Sequence, residues 1–217
     1  MPPPDTKTAL LDAAEDLFAE HGFADTSLRE LTKRARANLA AVNYHFGGKE
    51  ELAIAVLTRR FEPINAERHA QLDRLGKRPT VAAIVRAFVE PVLLGTPGLP
   101  GGPGAVPGFC RLFGRMMVEQ PPFLRAFLTR QFRDLVRRFE HVLRQALPRA
   151  DGVSLWWRLH FLVGAMAHTL QNAENLMHLS DGRCRHDDTE RILGELVAFA
   201  AAGLAAQGGR HTPPAAR

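Results

Sequence analysis

His141, His160 and His168, with the two cysteines Cys110 and Cys184, are where catalysis or metal binding would begin in this 217-residue sequence. Their spacing supports neither. The histidines lack the HExxH pattern that sets two imidazoles on one helix face, there is no glycine-rich phosphate loop, and the cysteines show no metal-ligand spacing. The run "DGRCRHDD", residues 181–188, gathers acid, base and thiol but reads as a polar loop between two long helices. No catalytic residue, no cofactor and no required metal are expected. The chemistry that the sequence does space is hydrogen bonding. In "ANLAAVNYHFGGKEEL", residues 37–52, Asn43, Tyr44 and His45 stand in consecutive positions near the end of a short helix, followed by Gly47, Gly48 and Lys49. An Asn side chain can both donate to and accept from adenine, and Leu39 and Ala40 can touch a thymine methyl. His45 and Lys49 lie at the far end, where phosphates would be.

Those side chains need helices to hold them. Leu10, Ala13, Ala14, Leu17 and Phe18 follow the i, i+3, i+4, i+7, i+8 pattern of one helix face and predict a helix over Thr6 to His21, closed by Gly22. Thr26 or Ser27 can cap a second helix to Ala35, with Glu30 three residues after Ser27 and Leu28, Leu31 and Ala35 as its buried stripe. Asn38 caps a third through Phe46, with Val42 and Phe46 as an i, i+4 buried pair. Lys49 opens a longer helix that Pro63 ends or kinks at Glu62, with helical character resuming to about Leu75. Further helices are predicted over Val81 to Val92, Phe109 to Glu119, Pro122 to Leu147, Ser154 to Leu179 and Asp187 to Ala206. The Gly/Pro-rich stretch 95–108 reads as a connecting loop and residues 208–217 as a frayed tail. No alternating pattern is long enough for a sheet, so the fold class is all-α.

Composition bounds the partners. A formal charge of +5 makes an anionic partner plausible without naming it. Residues 1–50 hold eight acidic residues against six Lys and Arg, so the cluster Arg29, Lys33, Arg34 and Arg36 is a local basic feature and not a field. Two cysteines are too few for a disulfide framework, no run is long enough for a membrane span, and the N-terminus lacks the pattern of a signal peptide. A cytoplasmic protein with no membrane association is the expectation.

Two short helices joined by a tight turn suggest a helix-turn-helix, whose second helix enters the major groove of DNA. The order "LLDAAEDLFAEHGFADTSLRELTKRA", then "NLAAVNYHFGGKEEL", resembles the N-terminal DNA-binding domain of the TetR family of bacterial transcriptional repressors, closely from Thr6 to Leu57. The resemblance implies a three-helix DNA-binding domain with a helix-turn-helix at residues 1–48 and a helical ligand-binding and dimerisation domain at 49–217. It implies a homodimer on palindromic, double-stranded operator DNA, released by a small-molecule effector, with the helix from Lys49 as the lever between the two regions. Carried over residue by residue, it makes Leu39, Ala40, Asn43 and Tyr44 the groove-facing set, with Arg29 near the groove edge. Ser27, Tyr44, His45 and Lys49 become phosphate contacts. The family usually has Gly in the turn between the second and third helices, where this chain has Arg36. Either the turn differs or Arg36 takes a left-handed conformation and contributes a phosphate contact beside the groove. The version "NLAAVNYHFG" is also similar to regulators of lipid and acyl-CoA metabolism within the family.

For a ligand-controlled protein, Phe109, Phe113, Met116, Met117, Phe127, Trp156, Phe161 and Met166 are candidate pocket walls, with His160, His168 and Asn172 as polar groups. Methionine moulds to flexible molecules, which favours an acyl or other elongated apolar effector. Leu155, Leu159, Leu162, Val163, Met166 and Leu170 form a stripe, some of which is expected to pair with Leu193, Leu196, Val197 and Leu204 across a two-fold axis. The alternative is a helical protein that binds DNA without sequence preference or lies on a membrane surface.

Overall fold

The computed structural model describes residues 5–96 and 106–206, which form nine helices and no strand. They are α1 (Thr6–His21), α2 (Leu28–Arg34), α3 (Leu39–Phe46), α4 (Lys49–Arg74), α5 (Val81–Leu93), α6 (Val106–Glu119), α7 (Pro122–Ala146), α8 (Gly152–Leu179) and α9 (Thr189–Ala205). Side-chain caps set several of the starts. Asp5 accepts from the Thr8 N–H at 2.7 Å, Asp151 from Ser154 at 2.9 Å and Asp188 from Arg191 at 3.1 Å, each satisfying an N–H that the first turn of a helix leaves without a partner.

The caps also explain where helix boundaries depart from the sequence pattern. Asp151 starts α8 at Gly152, before Ser154, and Asp188 starts α9 at Thr189. Helix α6 begins at Val106, inside the stretch read as loop; Pro107 falls in its first turn, where a missing N–H costs nothing. The rest of that predicted loop, residues 97–105, and the tail lie outside the described residues. Pro63 neither ends nor divides α4. Phe61 and Ile64 are buried on either side of it, and that burial outweighs the roughly 3 kcal/mol penalty of an interior proline. Among the described residues no helix is long and apolar enough to cross a membrane.

The chain divides into two compact units, residues 1–67 with 94–134, and 68–93 with 135–217, so that α4 and α7 each contribute to both. The division at residue 48 is one of expected role; the units are ones of packing. In the first unit α1 lies against α2, α3 and α6. Leu10, Leu17, Phe18, Leu31, Val42 and Leu52 are fully buried there. Phe61 is the centre of an aromatic cluster, with ring centroids 4.9 Å from Phe109, 5.0 Å from Phe113, 4.8 Å from Phe132 and 6.2 Å from Phe127. A buried ionic group joins α1 to α4. One Glu15 oxygen accepts from Arg60 Nε at 2.7 Å, and the other accepts from Arg59 at 2.6 Å. Arg59 also donates to Asp12 at 2.6 Å.

In the second unit α9 lies against α5 and α8. Phe88 meets Phe139 edge to face at 5.1 Å. Arg68 donates from Nε to the Phe88 carbonyl at 2.8 Å with its guanidinium 4.1 Å from the Phe88 ring, and burial pulls its pKa down to about 9. Leu155, Leu159, Leu162 and Met166 of α8 and Leu193, Leu196 and Leu204 of α9 are buried within this unit. Most of the stripe of which some was expected to face a second copy is therefore the chain's own core, although its Val163 is exposed. The exposed apolar face of α8 lies on the far side of the helix, at Val153, Trp156, Trp157 and Phe161, with Phe199 exposed on α9. Helix α8 is apolar on two opposed faces, and periodicity does not say which one turns inward.

The ionic group is the least replaceable part of the first unit, because removing one member of a buried pair strands the other. Glu15→Ala should destabilise the protein by about 3 kcal/mol, read as a lower urea midpoint at unchanged slope. An unchanged midpoint would show that water reaches both guanidinium groups.

Candidate nucleic-acid interface

The α2–α3 pair is built from two caps and one left-handed residue. Ser27 Oγ accepts from the Glu30 N–H at 3.1 Å and starts α2. The Glu30 carboxylate lies 3.5 Å from His21 at the end of α1. At the far end of α2 the Arg36 N–H donates to Lys33 O at 3.3 Å and the Ala37 N–H to Thr32 O at 2.9 Å. That pair of bonds requires the residue between cap and exit to be left-handed, and Arg36 has φ 52°. Of the two backbone alternatives left by the missing glycine, the left-handed one is adopted. The chain then leaves α2 through Asn38, whose side chain accepts from the Ala41 N–H at 2.9 Å and starts α3.

Burial decides what α3 shows. Val42 is fully buried against the first unit's core, while Phe46, the last residue before the Gly47 turn, is only half-buried. The opposite side carries Leu39, Ala40, Asn43 and Tyr44, all exposed, with Tyr44 at 86%. His45 is half-buried, its ring 5.0 Å from that of Tyr44 and 6.1 Å from that of Phe46. Ser27, Arg29 and Arg36 are exposed along α2 and its turn, beside Arg34, which pairs with Glu20 at 3.1 Å. The structure thus gathers eight of the nine sequence-derived positions on the exposed surface of two helices or beside it. Such a face can meet base edges and backbone phosphates in one groove.

Lys49 is placed differently. Its ammonium donates to the Ala24 carbonyl at 3.2 Å and lies 4.5 Å from the Phe23 ring. Burial there pushes its pKa below the ordinary lysine value, against the opposing pull of Glu119 and Asp25. Two residues missed by the sequence reading also reach this turn, Arg115 and Glu119 of α6. Their partners lie some ninety residues away in sequence, and no local pattern announces them.

Of the eleven candidate ligand residues, five lie in the first unit and six in the second. Phe109, Met116 and Phe127 are buried in the first unit with Phe113 beside them, and Met117 is exposed. In the second unit Met166 is buried, while Trp156, His160 and Phe161 lie on the exposed face of α8. His168 and Asn172 line a cleft of about 880 Å³ between α8 and α9, together with Leu176, Leu179, Ile192 and Phe199.

Residues 10–56 match the family described as bacterial regulatory proteins, tetR family, and residues 86–203 match a tetracyclin repressor-like C-terminal domain. Over 49 residues the chain is 51% identical to the HTH-type transcriptional repressor Rv3405c of Mycobacterium tuberculosis, a stretch that is 23% of this chain and 26% of that protein. It is 33% identical over 88 residues to the HTH-type transcriptional regulator SrpR of Pseudomonas putida, 41% of this chain and 40% of that one. The chain therefore matches about a quarter to two fifths of these curated relatives' length. Among solved structures, the fatty acid degradation regulator FadR from Bacillus halodurans has a TM-score of 0.68 at 12% identity, covering 95% of this chain and 100% of that one. A TetR-like transcriptional regulator from Rhodococcus sp. RHA1 has a TM-score of 0.62 at 21% identity, again over 95% and 100%. At such identities the likeness is one of fold.

A left-handed Arg costs on the order of 1 kcal/mol that Gly would not. Arg36→Gly should therefore raise the melting temperature by about 2–4 °C for a chain of this size. A clear fall would mean that the Arg36 side chain stabilises the turn by more than its backbone costs.

Proposed function

The chain belongs to the TetR family of bacterial regulatory proteins, transcriptional regulators and not enzymes, and from that premise we propose that it is a homodimeric repressor. It reads a two-fold-symmetric operator through α3 and leaves it when a small apolar effector binds. The observation that carries this reading is the face of α3, where Leu39, Ala40, Asn43 and Tyr44 stand exposed together while Val42 anchors the helix from behind. A helix that only completed a core would have little reason to leave a Leu and a Tyr in water beside an amide. Asn43 is the base-reading residue; Ser27, Arg29, Arg36, Tyr44 and His45 hold phosphates and the groove edge.

A second copy supplies the second α3. The exposed Val153, Trp156, Trp157, Phe161 and Phe199 form an apolar surface that a monomer would leave in water, and the α8–α9 cleft adjoins Phe199. Trp157 and Phe161 stack at 6.1 Å, which presents them as one flat patch. The effector is an apolar molecule of the kind that Phe109, Phe113, Met116 and Phe127 could enclose. Its binding favours a dimer in which the two α3 helices no longer match the half-site spacing.

The reading is tested on DNA selected by the protein from a random pool. Asn43→Ala should lose about 1–3 kcal/mol on the selected site and relax preference at one position per half-site, with little change on random DNA. Arg36→Gly should lose affinity on both, with a shallower salt dependence. Sedimentation should give twice the 24.0 kDa chain mass, and Trp157→Glu should return it to a monomer. Equal losses on selected and random DNA for Asn43→Ala would remove the readout, and a wild-type monomer at micromolar concentration would remove the dimer.

A further inference from the structure

Helix α6 lies against α1, and its last turn carries Arg115 and Glu119, four residues apart and so on one face. Arg115 donates to the carbonyl of Ala19 at 3.3 Å and to that of Glu20. These carbonyls belong to the last turn of α1, which no intrahelical N–H reaches, and a cation there also meets the negative end of the helix dipole. Glu119 accepts from the Ala24 N–H at 3.0 Å. From α4, Lys49 Nζ donates to the Ala24 carbonyl at 3.2 Å. Both polar groups of one exposed backbone residue are thus held by opposite charges from two different helices. The Glu119 carboxylate lies directly over Gly22, which has φ 90°: a Cβ there would come within 1.9 Å of it. Thr26 donates to the carbonyls of Leu17 at 3.2 Å and Gly22 at 2.7 Å, so the gripped turn is itself tied to α1. Lys49 opens α4 directly after the Gly47–Gly48 turn that ends α3.

We propose that Arg115, Glu119 and Lys49 are positioning residues for DNA binding: the last turn of α6 grips the turn before α2 through Ala24, and Lys49 carries that grip to the end of α3. The proposal rests on the reading of α3 as the DNA-contacting helix. It also reassigns Lys49, whose charge holds Ala24 instead of a phosphate.

Glu119→Ala, Lys49→Met and the double variant are compared with wild type on the selected DNA fragment and on random DNA, across a salt series. Each single variant should lose about tenfold on the selected fragment and little on random DNA, and the double variant should lose less than the product of the two. The salt slope should stay at the wild-type value, because no phosphate contact is removed. Glu119→Gln, whose amide oxygen can still accept from Ala24, should recover most of the affinity, and hydrogen exchange of the Ala24 amide should quicken in Glu119→Ala but not in Glu119→Gln. A slope lowered by about one unit in Lys49→Met, with Glu119→Ala binding as wild type, would place Lys49 on a phosphate and overturn the proposal. So would unchanged exchange at Ala24 in Glu119→Ala. If wild type selects no sequence at all, the reading of α3 fails and takes the DNA role of these residues with it. If wild type selects and Glu119→Ala binds the selected fragment as tightly as wild type does, only the grip fails.

Discussion

The way α2 ends governs what α3 can present. Two hydrogen bonds, from Arg36 to Lys33 and from Ala37 to Thr32, close the helix only if residue 36 is left-handed, and that turn fixes the direction in which the chain re-enters helix at Asn38. A right-handed residue there would continue α2 and leave Val42 without its place in the core. With the turn set, burial of Leu31 and Val42 on one side forces Leu39, Ala40, Asn43 and Tyr44 to the other. The exposed face of α3 is thus a consequence of packing behind it. An Arg occupies the left-handed position at a cost that Gly would avoid.

The second constraint is electrostatic and lies behind the same pair of helices. Glu15 is held by Arg59 and Arg60, and Ala24 by Glu119 and Lys49. Both arrangements tie α4 to the helices before it through charged hydrogen bonds, which are short-ranged and directional where apolar contact is not. Apolar burial in the first unit supplies stability, and these bonds supply register. In the proposed function, where the output is the spacing of two α3 helices, the second matters as much as the first.

Much of this was legible in the sequence where the information is local. The periodicity of Leu10, Ala13, Leu17 and Phe18 yields α1 with the bounds observed, and Ser27 and Asn38 cap the helices they were expected to cap. The positive φ at Arg36 is one of the two outcomes that comparison with the glycine usual in the resembled turn left open. What stayed hidden is non-local or rotational. Glu15 meets Arg59 and Arg60 from more than forty residues away, and α6 reaches the α1–α2 turn from farther still. On α8 the apolar faces through Leu159 and through Trp157 differ by about two residues' turn, roughly 160°. Hydrophobic period alone assigns neither to the interior, and most of the stripe considered for contact between two copies is the core of one.

The central claim is that the exposed face of α3 reads sequence, not merely charge. Sequencing the DNA retained by the protein from a random pool at about 150 mM salt, where non-specific binding is weak, tests it most directly. The account predicts one enriched site with two-fold symmetry, its half-sites centred about one helical turn, roughly 34–36 Å, or a multiple of it apart. Retention of DNA without an enriched sequence, or enrichment of a single half-site with no symmetric partner, would contradict it.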